Sequence, residues 1–327
     1  MTTITDRFRS NFNPGPGDTF GDILWRDHAG DNVLWLMNNN TPSGMPGSIA
    51  TLPFVPPDWH FKAAANFDLG SAEADILWQH DSGALALWQM NGTTVVTIRA
   101  LPNPGPIWHV VGDNDFNGDS ADDIFFQNDN GALALWTGIS AATGTVSGMF
   151  AGTQNPGPTW HVVGTGDTNG DAVAGVLWQN NNGALALWED PTIGAGTFTF
   201  NTVASLPSVD PSWHVKGMAD LNGNGRSDIV FQNDSGAAVV WEMGGAGGTT
   251  VAAMNLVNLV IDWGPTWHIV GLRDMNNDAR ADILLQNDNG AAAVWENYTP
   301  YGGGLATFLP LVITPNPNPN GHVWDLL

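Results

Sequence analysis

The chain has 327 residues and a formal net charge of −23, with 32 Asp and Glu against nine Lys and Arg. So few cations cannot build a basic face, which excludes a nucleic-acid partner and disfavours anionic membrane surfaces. Cysteine is absent, so no disulfides staple the fold, and no stretch approaches the ~18 apolar residues needed for membrane insertion.

Hydrophobic residues make up 43% of the chain, with 16 Trp, enough for a large core, whereas charged residues are only 13%. Polarity therefore comes from Asn, Asp, Ser, Thr and Gly, which favour turns and extended structure over helix. Residues 1–12, MTTITDRFRSNF, lack the apolar run of a cleaved secretory leader and read as an N-terminal extension.

A strand–turn–strand core then recurs six times: ILWRDHAGDNVLW, ILWQHDSGALALW, IFFQNDNGALALW, VLWQNNNGALALW, IVFQNDSGAAVVW and ILLQNDNGAAAVW. These cores begin at Ile23, Ile76, Ile124, Val176, Ile229 and Ile283 and close on Trp35, Trp88, Trp136, Trp188, Trp241 and Trp295. A Trp-His strand precedes five of the six, at Trp59, Trp108, Trp160, Trp213 and Trp267, while a Thr-rich stretch such as Thr93–Leu101 or Thr197–Leu206 follows. Four-stranded repeats of this length point to a β-propeller. The approximate repeats are 13–58, 59–107, 108–159, 160–212, 213–266 and 267–321, in a single domain, with 322–327 as a closing strand.

The first copy lacks a Trp-His strand, and its linker Asn13–Pro16 runs directly into Gly17-Asp18 and Asp22-Ile23. The reading is that it has lost the first half of its loop as well. The tail His322–Leu327 is a strand without a partner of its own, so it is expected to complete the N-terminal blade and close the ring. The fold class expected is all-β: a six-bladed propeller of four-stranded blades. Strands such as ALALW (132–136) are apolar on both faces, which suits sheets covered on both sides by neighbouring blades.

Between the Trp-His strand and the core lies an Asp/Asn/Gly loop. In copy five it reads Asp220-x-Asn222-x-Asn224-Gly225-x-x-Asp228. Oxygen-bearing side chains at positions one, three, five and nine suit a hard cation, and calcium takes six to eight oxygen ligands. Copies three (Asp115, Asn117, Asp119, Asp123) and six (Asp274, Asn276, Asp278, Asp282) are complete in the same way. Copy four keeps Asp167, Asn169 and Asp171 but has Gly175 at position nine. Copy two, Asn66-x-Asp68-x-Gly70 with Glu73 and Asp75, is one residue longer, and copy one retains Asp18 and Asp22. The alternative is that these are good turns without an ion.

On these loops the chain resembles the FG-GAP (VCBS-type) family, whose best-known members are the propellers of integrin α-subunits. The resemblance spans Asn13 to the end and implies calcium at the base of a blade, held by side chains at positions one, three, five and nine and the backbone carbonyl at seven. It carries over in full to copies three, five and six. This chain has Trp-His-Val-Val-Gly and Ala-Leu-Trp where the family often has Phe-Gly and Gly-Ala-Pro, so the integrin ligand-binding role is not inherited. Acidic, cysteine-free chains with calcium loops also resemble bacterial proteins exported without a cleaved leader. The location expected is extracellular or secreted, with cytoplasmic the alternative.

The Trp-His pairs repeat in nearly every copy, which favours packing or hydrogen bonding over a transition-metal ring. The Trp residues read chiefly as core between copies, with sugar-stacking platforms as the alternative. Residues that break the repeat are Arg26, Asp27, His28, Glu73, His80, Glu189 and Asp190, and no catalytic motif is present. The expected function is non-catalytic, lectin-like binding of carbohydrate or glycoconjugate, or adhesion. The alternatives are a lyase or hydrolase at one mouth of the channel, and a structural or protein-binding scaffold. Oligomeric state is not readable from the sequence.

Overall fold

In the computed structural model, residues 11–12, 21–37, 46–68, 73–244, 250–255, 264–275, 278–297, 308–313 and 324–326 are described. Asp18, Gly70 and Asn276 lie outside them. The described residues are all-β. Unit one holds β1 (Ile23–Asp27), β2 (Asn32–Met37) and β3 (Pro46–Leu52); unit two holds β4 (Trp59–Ala65), β5 (Asp75–His80), β6 (Leu85–Asn91) and β7 (Thr94–Leu101). Unit three holds β8 (Trp108–Asn114), β9 (Asp123–Asn128), β10 (Leu133–Ser140) and β11 (Thr145–Gly152); unit four holds β12 (Trp160–Gly166), β13 (Gly175–Asn180), β14 (Leu185–Gly194) and β15 (Thr197–Leu206). Unit five holds β16 (Trp213–Ala219), β17 (Asp228–Asn233), β18 (Ala238–Gly244) and β19 (Thr250–Asn255); unit six holds β20 (Trp267–Arg273), β21 (Asp282–Asn287), β22 (Ala292–Asn297) and β23 (Phe308–Ile313). The last strand is β24 (Trp324–Leu326).

Each unit is an antiparallel meander, and units three and four are further joined by a short parallel pairing of β11 with β15. Burial follows the apolar pattern. The second strands, such as β5 (DILWQH) and β9 (DIFFQN), are covered on both faces, whereas the outer strand β11 alternates between exposed and half-buried positions. Every described Trp-His strand pairs with its second strand through the same irregularity, for example between Phe61 and Ala63 and between Val215 and Gly217. The inner strands β4, β8, β12, β16 and β20 are neighbours in that order.

The C-terminal segment supplies the strand that the first copy lacks. β24 pairs antiparallel with β1, Trp324 opposite Asp27, Asp325 opposite Arg26 and Leu326 opposite Trp25. This is the register in which Trp59, His60 and Phe61 face His80, Gln79 and Trp78. A second closure lies in the loops. The residue before each second strand donates its N–H to the carbonyl at loop position one of the preceding unit. Ala74 donates to Asn11, Asp122 to Asn66, Ala174 to Asp115, Ser227 to Asp167 and Ala281 to Asp220, at 2.6–2.8 Å. Gly21 of unit one donates to Asp274 of unit six at 2.8 Å, so the chain of bonds returns to its start.

That circle corrects one expectation. The first copy has not lost the first half of its loop: Asn11 stands at loop position one, and the buried Phe12 donates its N–H to Asp22 Oδ2 at 2.6 Å. Phe116 and Leu221 make the same bond to Asp123 and Asp228. The sequence Asn-Phe-Asn at 11–13 was the signal, a counterpart of Asp-Phe-Asn at 115–117, hidden by the extra residues before Asp22.

Candidate functional site

In units two to six the acidic loops lie between the Trp-His strand and the second strand, at the end of the meander opposite the hairpin turn. In unit three, Asp115 at position one accepts the N–H groups of Gly118 (2.7 Å), Asp119 (3.2 Å) and Ser120 (2.7 Å), so its short side chain winds the loop around its own oxygens. Asn117 Oδ1 accepts from Asp119 N at 2.8 Å, and its Nδ2 faces Asp119 Oδ2 and Asp123 Oδ1 at 3.0 and 3.4 Å. The four residues predicted there are therefore brought into one cluster.

Unit five repeats the arrangement. Asp220 accepts from Gly223, Asn224 and Gly225, Asn222 bridges to Asp228, and Asn224 Oδ1 accepts from Arg226 N. In unit six, Asp274 accepts from Asp278 and Ala279, Asp278 from Arg280, and Asp282 from Met275. In unit four, Asp167 accepts from Gly170 and Ala172, and Asn169 bridges Asp171 and Asp190. There the place of the ninth-position acid is taken by a side chain from another strand, Glu189 on β14, whose Oε1 accepts the Thr168 hydroxyl.

These carboxylates are costly to ionise as they stand. Burial, reinforced by neighbouring acids, pushes Asp123 and Asp228 up to about 8, against the hydrogen bonds from Phe116 and Met243. Burial pushes Asp75 up to about 7 and Glu189 to about 8, and raises Asp115 and Asp220. Among the described residues, no three His, Asp or Glu side chains converge tightly enough to hold a metal ion in this arrangement. The donor set is nonetheless one of hard oxygens, and turning the Asn117 or Asn222 amide exchanges its N–H₂ for a carbonyl oxygen facing the acids.

The histidines of the Trp-His strands are held at the opposite ends of their strands. His60, His109, His214 and His268 place Nε2 at 2.7–2.8 Å from Asp81, Asp129, Asp234 and Asp288 of their own hairpin turns, and His161 bonds Asn181. Each is spent on a turn within its unit, as the hydrogen-bonding reading expects. Of the closing Trp residues, Trp35, Trp88, Trp136, Trp241 and Trp295 are buried core and Trp188 is half-buried, while Trp59, Trp108, Trp160, Trp213 and Trp267 are half-exposed. Trp213 lines a cavity of about 180 Å³ with Phe231, Trp241, Val239, Val209 and Asp210.

A larger cavity, about 260 Å³, opens where the loop-side ends of the five inner strands meet. Its lining breaks the repeat. The equivalent sixth residues of those strands are Ala64, Asp113, Thr165, Met218 and Leu272, joined by Lys62 and Arg273. Arg273 donates to the Asp22 carbonyl at 2.9 Å, and burial pulls it down to about 10 against the pull of Asp22 and Asp113. Burial also lowers Lys62 and its counterpart on β16, Lys216, the only lysines of the chain. Strand-level sequence patterns did not single out this cluster, because its members lie far apart in the chain and meet only when the strands gather.

Residues 220–285, spanning the unit-five loop to the middle of β21, match the family model for the FG-GAP-like repeat. No curated protein matches the chain.

Proposed function

We propose that this FG-GAP-type repeat chain is a six-bladed β-propeller, each unit a blade, with calcium in its acidic loops and a non-catalytic role in binding carbohydrate. The circle of six loop hydrogen bonds, with β24 seated on β1, supports the propeller reading, since a propeller is a ring of four-stranded sheets whose last repeat meets its first.

The calcium reading is carried by one observation: Asp115, Asn117, Asp119 and Asp123 are wound into one oxygen-rich cluster around a buried ninth-position carboxylate, and Asp220, Asn222 and Asp228 repeat it. A divalent ion supplies the positive charge that lets these acids ionise together. It would be held by Asp115, Asn117, Asp119 and Asp123 in unit three; by Asp220, Asn222, Asn224 and Asp228 in unit five; and by Asp274, Asn276, Asp278 and Asp282 in unit six. Its role would be structural, fixing the loop between two strands. Shallow sites of this kind fill at the ~10⁻⁴–10⁻³ M affinities of extracellular modules, which fits a secreted protein.

The half-exposed Trp213 beside Asp210 supports the carbohydrate reading, because a sugar stacks its C–H face on an aromatic ring and gives hydroxyls to an acid. The same Trp recurs in units two to six, and several weak sites engaged together gain effective concentration. A glycan array probed in calcium and in chelator tests this, with Trp213→Ala as the paired variant. Uniformly blank arrays remove the carbohydrate reading, and melts unchanged by chelator remove the calcium.

The 260 Å³ cavity favours a second reading, a small-molecule or reaction site of the lyase or hydrolase kind at the channel mouth. An active site is one place, and Lys62, Asp113, Thr165 and Arg273 occur together only there. Lys62→Ala and Asp113→Asn leave a lectin's sugar binding intact and abolish any activity housed in that cavity.

A further inference from the structure

Unit four has no acid at loop position nine, and another residue occupies the space. A Cβ added to Gly175 would lie 2.1 Å from Glu189 Oε2 and 2.5 Å from Oε1, so the Glu189 carboxylate stands where the other units carry an aspartate side chain. Glu189 follows the closing Trp188 on the neighbouring strand β14, and its longer side chain spans the extra distance. The residue is fully buried, at 0% exposure. Oε1 accepts the Thr168 hydroxyl, whereas Oε2 has no hydrogen-bond partner at all. Asp167, Asp171 and Asp190 add their repulsion, and Asp190 Oδ1 is tied to the same loop through Asn169 Nδ2 at 3.1 Å.

A buried carboxylate oxygen without a donor, beside three further acids, lacks both a bonding partner and a counter-charge; a cation supplies both, whereas an amide or hydroxyl would leave the charges uncompensated. We propose that unit four also holds a divalent cation, calcium by its all-oxygen donors, with Glu189 supplying from β14 the carboxylate that the loop lost at Gly175. Asp167, Asn169 and Asp171 complete the set from the loop. Gly175 and Glu189 form an exchanged pair: the glycine is what makes room for the glutamate. This inference rests on the calcium reading of the loops, and it turns unit four from a degraded site into a rebuilt one.

Counting ions on the full chain tests it: equilibrium dialysis against calcium, then elemental analysis. Glu189→Gln keeps shape and is expected to hold one calcium fewer than the wild type, as Asp228→Asn does through unit five. Gly175→Asp with Glu189→Ala returns the acid to the loop and is expected to restore the wild-type count. A Glu189→Gln chain that keeps the full count overturns the proposal while the other sites stand; a wild-type chain without calcium overturns the reading of the loops themselves. Should Glu189→Gln fail to fold, terbium-soaked wild-type crystals give the answer. An anomalous peak between Asp167 and Glu189 supports the site, and peaks in units three and five without one there overturn it.

Discussion

The side-chain amide of Gln79 clasps the inner strand of the next unit at Trp108: Nε2 donates to the Trp108 carbonyl at 2.8 Å, and the Val110 N–H donates to Oε1 at 3.0 Å. Gln232 repeats both bonds on Trp267 and Ile269, and Gln127 and Gln179 reach the carbonyls of Trp160 and Trp213. In unit one, where Arg26 replaces the glutamine, its guanidinium donates to the Trp59 carbonyl at 2.6 Å. A single position thus fastens each of these units to its successor.

Gln232 is 3% exposed, so water cannot replace what it gives. Gln232→Leu strands the Ile269 N–H and takes a donor from the Trp267 carbonyl, and an orphaned buried group costs about 1–3 kcal/mol. Equilibrium unfolding in urea is expected to show a loss of at least ~2 kcal/mol, whereas Gln232→Glu loses less when the two are compared at acid pH, where its neutral carboxyl gives an O–H to the Trp267 carbonyl and accepts from Ile269. Equal losses for the two variants would show that volume, not hydrogen bonding, carries the junction.

The acidic loops turn through a left-handed residue at position six, with φ 79° at Ser120, 69° at Ala172, 77° at Gly225 and 65° at Ala279. Only unit five spends a glycine there, although a Cβ in this region costs about 1–2 kcal/mol. Ala172→Gly and Ser120→Gly are expected to gain roughly 0.5–1 kcal/mol, the rest being offset by the freedom glycine regains when unfolded. Ala172→Val moves the other way. Thermal melts at fixed calcium read both signs.

The repeat was legible because six copies of one strand–turn–strand core cannot bury both apolar faces except against one another, and the closing role of the tail followed from a strand left without a partner. Asn11 and Phe12 escaped notice because the loop of unit one departs from the common spacing. Glu189 was visible only as an irregularity. Nothing in the local pattern says that a residue after a closing Trp fills the gap left by a glycine on the preceding strand, since that contact crosses the meander. The Gln clamps repeat in plain view as Gln-Asn and Gln-His, but their partners sit one unit away and so carry no signal within any one copy.

Gly175→Asp alone should be harmful, although it restores the pattern of units three, five and six. The new side chain would start 2.1 Å from Glu189 Oε2, in a space with no exposed surface. Overpacking of this kind costs about 1–3 kcal/mol, and the added like charge increases it. Combining it with Glu189→Ala should recover most of the loss, a coupling that a double-mutant cycle measures directly. Additive effects would separate the two residues.

Removing residues 322–327 tests the seam. β24 covers one edge of β1, and without it the Arg26 backbone loses its neighbouring strand and faces solvent, whereas the Asp27 N–H and carbonyl stay bonded to Asp31 and Gly30 of the hairpin. Each backbone bond lost costs roughly 0.5–1.5 kcal/mol, and an open edge also recruits strands from other copies. The shortened chain is therefore expected to melt lower and to run as dimers or larger species in size-exclusion chromatography. A synthetic peptide of sequence GHVWDLL, residues 321–327, should restore both the melting point and the wild-type elution, because it can take the register of Trp324 against Asp27. A scrambled peptide shares the composition but not that register and should restore neither. If truncation leaves melting and elution untouched, the circle is held by the loop bonds alone and β24 is dispensable.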